Sequence, residues 1–413
     1  MNAPARRRTI GLWRSWALVA GMMIGSGILT LPSLLAAYGS NSFIGWAITG
    51  LGALCLALTY AHLAARKAGL GGPYYYVQQA FGARWAGCVA WGYWFSLVAA
   101  VAALTLSFAG YSATYLPWVS SSTINSTLFG ISVVVIFMLI NLRGVRDASA
   151  VQVVATVFKI LPLLVIGIMG IVFGHIDDIP AINPNEGSPL KMVTAMCLLI
   201  MWAFIGVESA TLPSEDTIAP EKTIPRASIL GTLTATSVYV IATWGLMSVM
   251  PLDALRQSSS PFADAAQVLL GPGGEAIVTM GALFAIGGTL NVCLMMSGTI
   301  MLAAARDGMF PSILQRQDTQ GTPINALLLS AALSIVLLFF NTHASLLKGF
   351  EVLLILSTFA VLMVYLATGL ASLTLLWRER HAQGGVSWWH VSTAVLATGF
   401  SILAIMGAWV LYH

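Results

Sequence analysis

The sequence predicts an all-α polytopic membrane protein of about eleven transmembrane helices, and three observations carry that expectation. Of its 413 residues, 58% are hydrophobic and only 8% are charged, with a mean hydropathy of +0.86. Soluble domains are not built with that balance. The apolar residues gather into runs of about 20 or more, the length that crosses the hydrocarbon of a bilayer. Lysines and arginines gather on alternate connections between those runs.

The first run, 13–37, contains "GMMIGSGILTLPSLLA", apolar throughout but interrupted by Gly25, Ser26 and Gly27. The second, 42–64, closes at Arg66 and Lys67. The stretch "AARKAGLGGPYYYVQQAFGAR" follows; Gly71, Gly72 and Pro73 punctuate it and three tyrosines give it an apolar side, so it reads as a short amphipathic cytoplasmic segment. The next runs are 85–115, 127–144 and 150–173, then 190–211, 227–249, 274–304, 323–340, 348–377 and 387–411. The third, eighth and tenth exceed the bilayer thickness, which implies tilt or protrusion. The chain thus divides into a tail (1–12), five spans (13–173), an outer loop (174–189), five spans (190–377), and a linker with a final span (378–413).

Orientation follows from the positive charges. With the N-terminus in the cytoplasm of a cell-membrane protein, 15 lysines and arginines, from Arg6, Arg7 and Arg8 to Arg378 and Arg380, fall on inner connections. Only Lys191, Arg256 and Lys348 fall on outer ones. The basic start is followed by an apolar run too long for a cleaved signal and without a small-residue cleavage pattern, so it is expected to stay as the first span. Cys55, Cys88, Cys197 and Cys293 lie in or beside apolar runs without a CxxC pair, and the six histidines are scattered. No disulfide, metal or cofactor is expected.

Two ionisable residues lie inside spans. Lys159 sits in "VQVVATVFKILPLL" and Glu208 in "LLIMWAFIGVESATL". Such groups cost about 2.5–3.5 kcal/mol each to insert and so face a bundle interior or wet cavity, as functional groups, a structural ion pair or snorkelling chains. Gly206 interrupts the sixth run as Gly25 and Gly27 interrupt the first. Spans one and six are five apart, so corresponding helices of two halves would cross in opposite directions, and paired interrupted helices point to a transporter's midplane site. Small residues for close helix packing are the competing explanation. Opened helix ends suit a zwitterion: amide groups at Gly25, Ser26 and Gly27 for a carboxylate, and carbonyls of Met23, Trp202 and Ile205 for an ammonium. Trp202, Ile205 and Glu208 share a helical face; Trp202 is either a packing residue or a lid.

Seven blocks in order carry a resemblance to a known family: "GMMIGSGILTLPSLLA", "GGPYYYVQQAFG", "VQVVATVFK", "MWAFIGVESA", "PEKTIPRA", "SSSPFADAAQVLLG" and "AAARDGMFPSIL". The chain resembles the amino acid–polyamine–organocation (APC) superfamily of permeases, most of all its basic amino acid and polyamine antiporters of the arginine/agmatine type. The resemblance implies a leucine-transporter-like 5+5 inverted repeat with helices one and six broken, and alternating access without ATP. It implies substrate contacts at Ser26, Gly27, Trp202, Ile205, Glu208 and Ser357, to which the reading of the break adds Met23 and Gly25 and the pocket lining adds Cys293. A gate of Tyr93, Glu208 and Tyr365 is also implied, as is a Lys159–Thr289 pair standing where sodium-coupled relatives hold their ion. Coupling would then be by protons or exchange, with a small amino acid or amine as partner, the lipid bilayer as surroundings and no nucleic acid; a homodimer is compatible. Many relatives have twelve spans; eleven are expected here.

Two departures concern substrate. Val101 and Cys293 stand where the arginine/agmatine type has an asparagine and a stacking tryptophan. Loss of that aromatic removes about 0.5–2 kcal/mol of cation–π attraction. A pocket of Val101, Leu104 and Cys293 fits a smaller or less charged side chain, so a neutral amino-acid permease or exporter is the alternative. An enzyme would need a nucleophile with its base, paired aspartates or a metal cluster; a channel would need repeated pore loops or acidic rings. The sequence has neither pattern.

Overall fold

The computed structural model describes residues 10–66, 72–142, 148–175, 179–185, 187–211, 217–318, 321–383 and 387–412. Arg6, Arg7, Arg8, Lys67, Arg143 and Arg146 lie outside them, as does the side chain of Ser26. Fourteen α-helices are found among the described residues.

The first span is two helices, α1 (Leu12–Met23) and α2 (Ser26–Leu35). Then come α3 (Ser42–Arg66), the short α4 (Pro73–Phe81), α5 (Ala83–Ser112), α6 (Thr123–Leu142) and α7 (Ala148–Phe173). Pro73 starts α4 where a missing N–H is harmless. The second half has α8 (Pro189–Met201), α9 (Pro220–Val249), the six-residue α10 (Leu252–Gln257), α11 (Pro261–Arg306), α12 (Ile324–Phe340), α13 (Leu346–Gln383) and α14 (Trp388–Tyr412).

Ten stretches are long and apolar enough to cross a membrane. The ninth expected run is the 17-residue α12, one residue below the 18 of the shortest of these ten. Two helices start earlier than hydropathy alone suggests. α9 begins at Pro220, a first-turn proline beside Glu221, on a polar turn that protrudes from the apolar run. The "SSSPFADAAQVLLG" segment forms the first part of α11, joined to the long span at Gly271, whose φ of 71° breaks the helical course. α13 carries the expected protrusion, with 38 residues reaching Gln383.

Packing follows a rule of five. Spans two and seven pack together (α3 and α9), as do three and eight (α5 and α11) and four and nine (α6 and α12). Span one on five (α1 on α7) has its counterpart in six on ten (α8 on α13); three on ten (α5 on α13) has eight on five (α11 on α7). Exchanging each span with the one five places later leaves these pairings unchanged.

The interior is densely aromatic. Trp46, Phe204 and Tyr239 pack at 5.2–6.2 Å between ring centroids, all fully buried. Tyr239 Oη donates to the carbonyl of Ala203 at 2.8 Å and Tyr111 Oη to that of Leu29 at 2.7 Å. Each phenol thereby pins one of the interrupted spans to a neighbouring helix.

Candidate functional site: two broken helices and a cavity between them

Both interruptions are breaks in the backbone. α1 ends at Met23; Ile24 takes ψ 89° and Gly25 an extended φ of −141° before α2 starts at Ser26. In the sixth span, α8 passes at Met201 into a tight turn over Trp202–Phe204, Ile205 turns extended (ψ 127°), and Gly206 takes φ 111°. That positive φ is strained for any side chain, which is the physical reason for glycine there. The first break lies at Ile24 and Gly25, slightly before the centre of the Gly-Ser-Gly; Ser26 and Gly27 open the next helix, whose first amide groups have no intrahelical partner.

The breaks meet. A Cβ on Gly27 would fall 2.9 Å from the Cα of Ala203, and one on Gly206 would fall 2.8 Å from the Cβ of Met22. A Cβ on Gly25 would lie 2.6 Å from Thr289 Oγ1. Each glycine thus admits the opposing span to closer approach than any side chain allows. Non-helical backbone at membrane depth is tolerated only where protein or a cavity surrounds it, and both conditions hold here.

Between the breaks lies a cavity of about 30 Å3. Met22, Met23, Gly25 and Gly27 form one side, and Trp202 and Ile205 the second. Leu97, Ala100 and Leu104 of α5 with Thr289 and Cys293 of α11 close it. The volume has room for about one or two water molecules. The Trp202 indole, 7% exposed, stands edge-on to Phe350 at 6.2 Å and is part of the wall.

Glu208 lies beneath this wall, fully buried. Its carboxylate accepts hydrogen bonds from Tyr93 Oη on α5 and, at 2.7 Å, from Tyr365 Oη on α13. Its carbonyl takes Thr211 Oγ1 at 2.6 Å. Tyr60 stands edge-on to Tyr365 at 5.8 Å and donates to Thr368 at 3.2 Å. Lys159, on the far side, donates to the carbonyl of Gly21 at 3.2 Å and to Thr289 Oγ1 at 3.1 Å. One ammonium therefore joins α7, α1 and α11. The two membrane-embedded charges hold separate partners and do not form an ion pair with each other.

Of the residues singled out from sequence, Met23, Gly25, Gly27, Trp202, Ile205, Thr289 and Cys293 come together on the cavity wall. The carbonyls of Met23 and Trp202 accept local bonds from Gly25 and Ile205 at 3.0 and 3.3 Å. Ser357 is elsewhere: its hydroxyl donates to the Ser96 carbonyl at 2.7 Å in the α5–α13 seam. Val101 is fully buried but not on the wall; Leu97 and Ala100 take that part of it. The stripe Tyr93, Leu97, Ala100, Leu104, spaced by three and four, carried the signal for them.

An all-helical membrane bundle with a small cavity between two broken spans fits the class of membrane transporters. A sequence profile described as amino acid permease matches residues 10–411, and the chain belongs to that family of the APC superfamily. It is 31% identical over 340 residues to the cadaverine/lysine antiporter of Escherichia coli, covering 78% of this chain and 73% of the relative. It is 29% identical to a putative arginine/ornithine antiporter of Bacillus subtilis (88% and 83% covered). It is 31% identical to the arginine/ornithine antiporter of Pseudomonas aeruginosa (76% and 67%). The protein is a multi-pass secondary transporter.

Proposed function

We propose that this transporter exchanges amino acids, or an amino acid and an amine, across the cell membrane, with its N-terminus in the cytoplasm. The observation that carries the reading is the crosswise contact of Gly27 with Ala203 and Gly206 with Met22, which aims opened backbone from both breaks at one cavity. The α2 amide groups from Ser26 onward would receive the substrate carboxylate, and the carbonyls around Met23, Trp202 and Ile205 its ammonium. Trp202 would close the site, and Glu208 with Tyr93 and Tyr365 would sense the ligand beneath it. The two halves, 13–173 and 190–377, would act as the inverted repeats. Lys159, a fixed cation bonded between α1 and α11, supports proton-linked transport or exchange in place of sodium coupling.

The relatives' names favour a cationic substrate class such as lysine, cadaverine, arginine or ornithine. One observation favours a neutral side chain: the cavity wall, among the described residues, carries no carboxylate and includes Leu97, Ala100, Leu104 and Cys293. Counterflow in proteoliposomes with labelled lysine, cadaverine, arginine, alanine and leucine separates the two. Signal for the cations supports the antiporter of basic substrates; signal for alanine or leucine alone assigns a neutral permease. Flux of none, with folded protein, would overturn the reading.

A further inference from the structure

Much of α6 is turned away from the protein interior, with Ile136, Leu139 and Ile140 exposed. Its inward face carries two residues one helical turn apart, Phe137 and Asn141, and they meet α11 at two residues that are also one turn apart. A Cβ on Gly287 would fall 3.0 Å from Phe137 Cζ and 3.5 Å from Phe108 Cε2 of α5, so this glycine is a notch that seats the Phe137 ring. Phe137 and Phe108 stand edge-on at 6.4 Å. Asn141, 7% exposed, donates from Nδ2 to Asn291 Oδ1 at 2.7 Å and to the carbonyl of Phe137 at 2.9 Å. Both hydrogens of its amide are thereby spent.

The place of this contact on α11 ties it to the cavity. Thr289 and Cys293 line the cavity one turn apart, and Gly287 and Asn291 each precede one of them by two residues. Two residues are about 200° of helix, so the face that α6 holds and the face that lines the cavity lie back to back. A rotation of α11 by about 20° about its own axis would move a Cβ by about 1 Å. Thr289 has little room for that, because it takes the bond from Lys159 Nζ and stands at the close approach of Gly25. A ring in a notch resists sliding, whereas a directional bond between two side-chain amides resists rotation.

We propose that Asn141 is a positioning residue for the substrate site: bonded to Asn291, with Phe137 seated at Gly287, it fixes the rotation of α11 and so the placing of Thr289 and Cys293 on the cavity wall. The inference rests on the reading of that cavity as the substrate site. Asn141 itself touches neither the cavity nor the substrate.

The full chain in a Cys55→Ser, Cys88→Ser background, reconstituted in proteoliposomes, is compared with two variants of it: Asn141→Leu with Asn291→Leu, and Phe137→Leu. Replacing both amides by leucine leaves neither partner unpaired, so thermal unfolding of the double variant should stay close to that of the parent. The apolar pair packs without fixing the rotation. Labelling of Cys293 by a small thiol reagent without substrate should therefore change about tenfold, and the counterflow KM for the substrates the parent exchanges should rise about tenfold. Phe137→Leu should move both in the same direction by less. Parent labelling and parent KM in the double variant would make the amides no more than glue between helices and overturn the proposal. Altered labelling with the parent KM overturns the substrate reading of the cavity, and the proposal with it. Where the double variant does not fold, Phe137→Leu decides: unchanged labelling and KM there overturn the proposal.

Discussion

The Tyr365 hydroxyl on α13 donates to Glu208 Oε2 at 2.7 Å, while Tyr93 on α5 donates to the other carboxylate oxygen. Two helices from opposite halves of the chain are thereby fastened to the break in the sixth span, two residues from Gly206. A carboxylate at that depth is tolerated because both its oxygens are satisfied.

Glu208→Gln tests that arrangement at constant volume. An amide has one acceptor oxygen, so one of the two phenols loses its partner, a loss of about 1–3 kcal/mol. We expect the variant to fold, to transport about tenfold more slowly, and to lose whatever part of the pH profile of counterflow comes from this carboxyl. An identical profile would reduce Glu208 to a packing role.

Tyr365→Phe and Tyr93→Phe should each slow counterflow less than Glu208→Gln, because the carboxyl group itself and one of its donors remain. Each deletes a hydrogen bond to a charged acceptor, worth about 1.5–3 kcal/mol. The double variant should exceed the sum of the singles in a thermal-unfolding cycle, since it leaves the charge bare.

Lys159→Ala removes the ammonium that joins Gly21, Thr289 and α7. Transport should be abolished or lose its pH dependence while the protein stays monodisperse by size exclusion. Unchanged flux at every pH would make the lysine structural.

Gly206→Ala should be the most damaging small substitution. The residue would be forced into φ 111° with its Cβ 2.8 Å from that of Met22, a strain of about 1–3 kcal/mol before any clash. Gly82→Ala makes the comparison: it shares a positive φ, 88°, but its Cβ meets nothing within 4 Å. Counterflow should fall steeply in the first and little in the second.

Cys293 lines the cavity, whereas Cys88 is exposed. In a Cys88→Ser background, saturating transported substrate should slow labelling of Cys293 by a small thiol reagent. Equal rates with and without substrate would place the ligand elsewhere.

Hydropathy located every spanning helix to within a few residues except the starts of α9 and α11, where polar first turns and the Gly271 kink extend helices past the apolar runs, and the end of α13, which runs six residues past its apolar run to Gln383. The breaks were legible because glycines interrupt spans one and six at corresponding places, which close helix packing alone does not require. The cavity's third wall was less so: choosing Ala100 over Val101 depends on how far α5 rotates, and sequence spacing leaves that rotation open within one residue. Ser357 lies on the right helix with its hydroxyl turned into the α5–α13 seam toward Ser96.

Composition and periodicity by themselves determined that this chain spans a membrane about eleven times, because lipid accepts no other backbone than a satisfied one. Two glycine interruptions five spans apart also marked where the backbone would break. Only the folded molecule decided what meets what: Lys159 goes to Gly21 and Thr289, and Glu208 to two tyrosines. Partners like these come from spans far apart in the chain, and helix rotation and tilt, which set them, are fixed by packing against neighbours and not by any local run of residues.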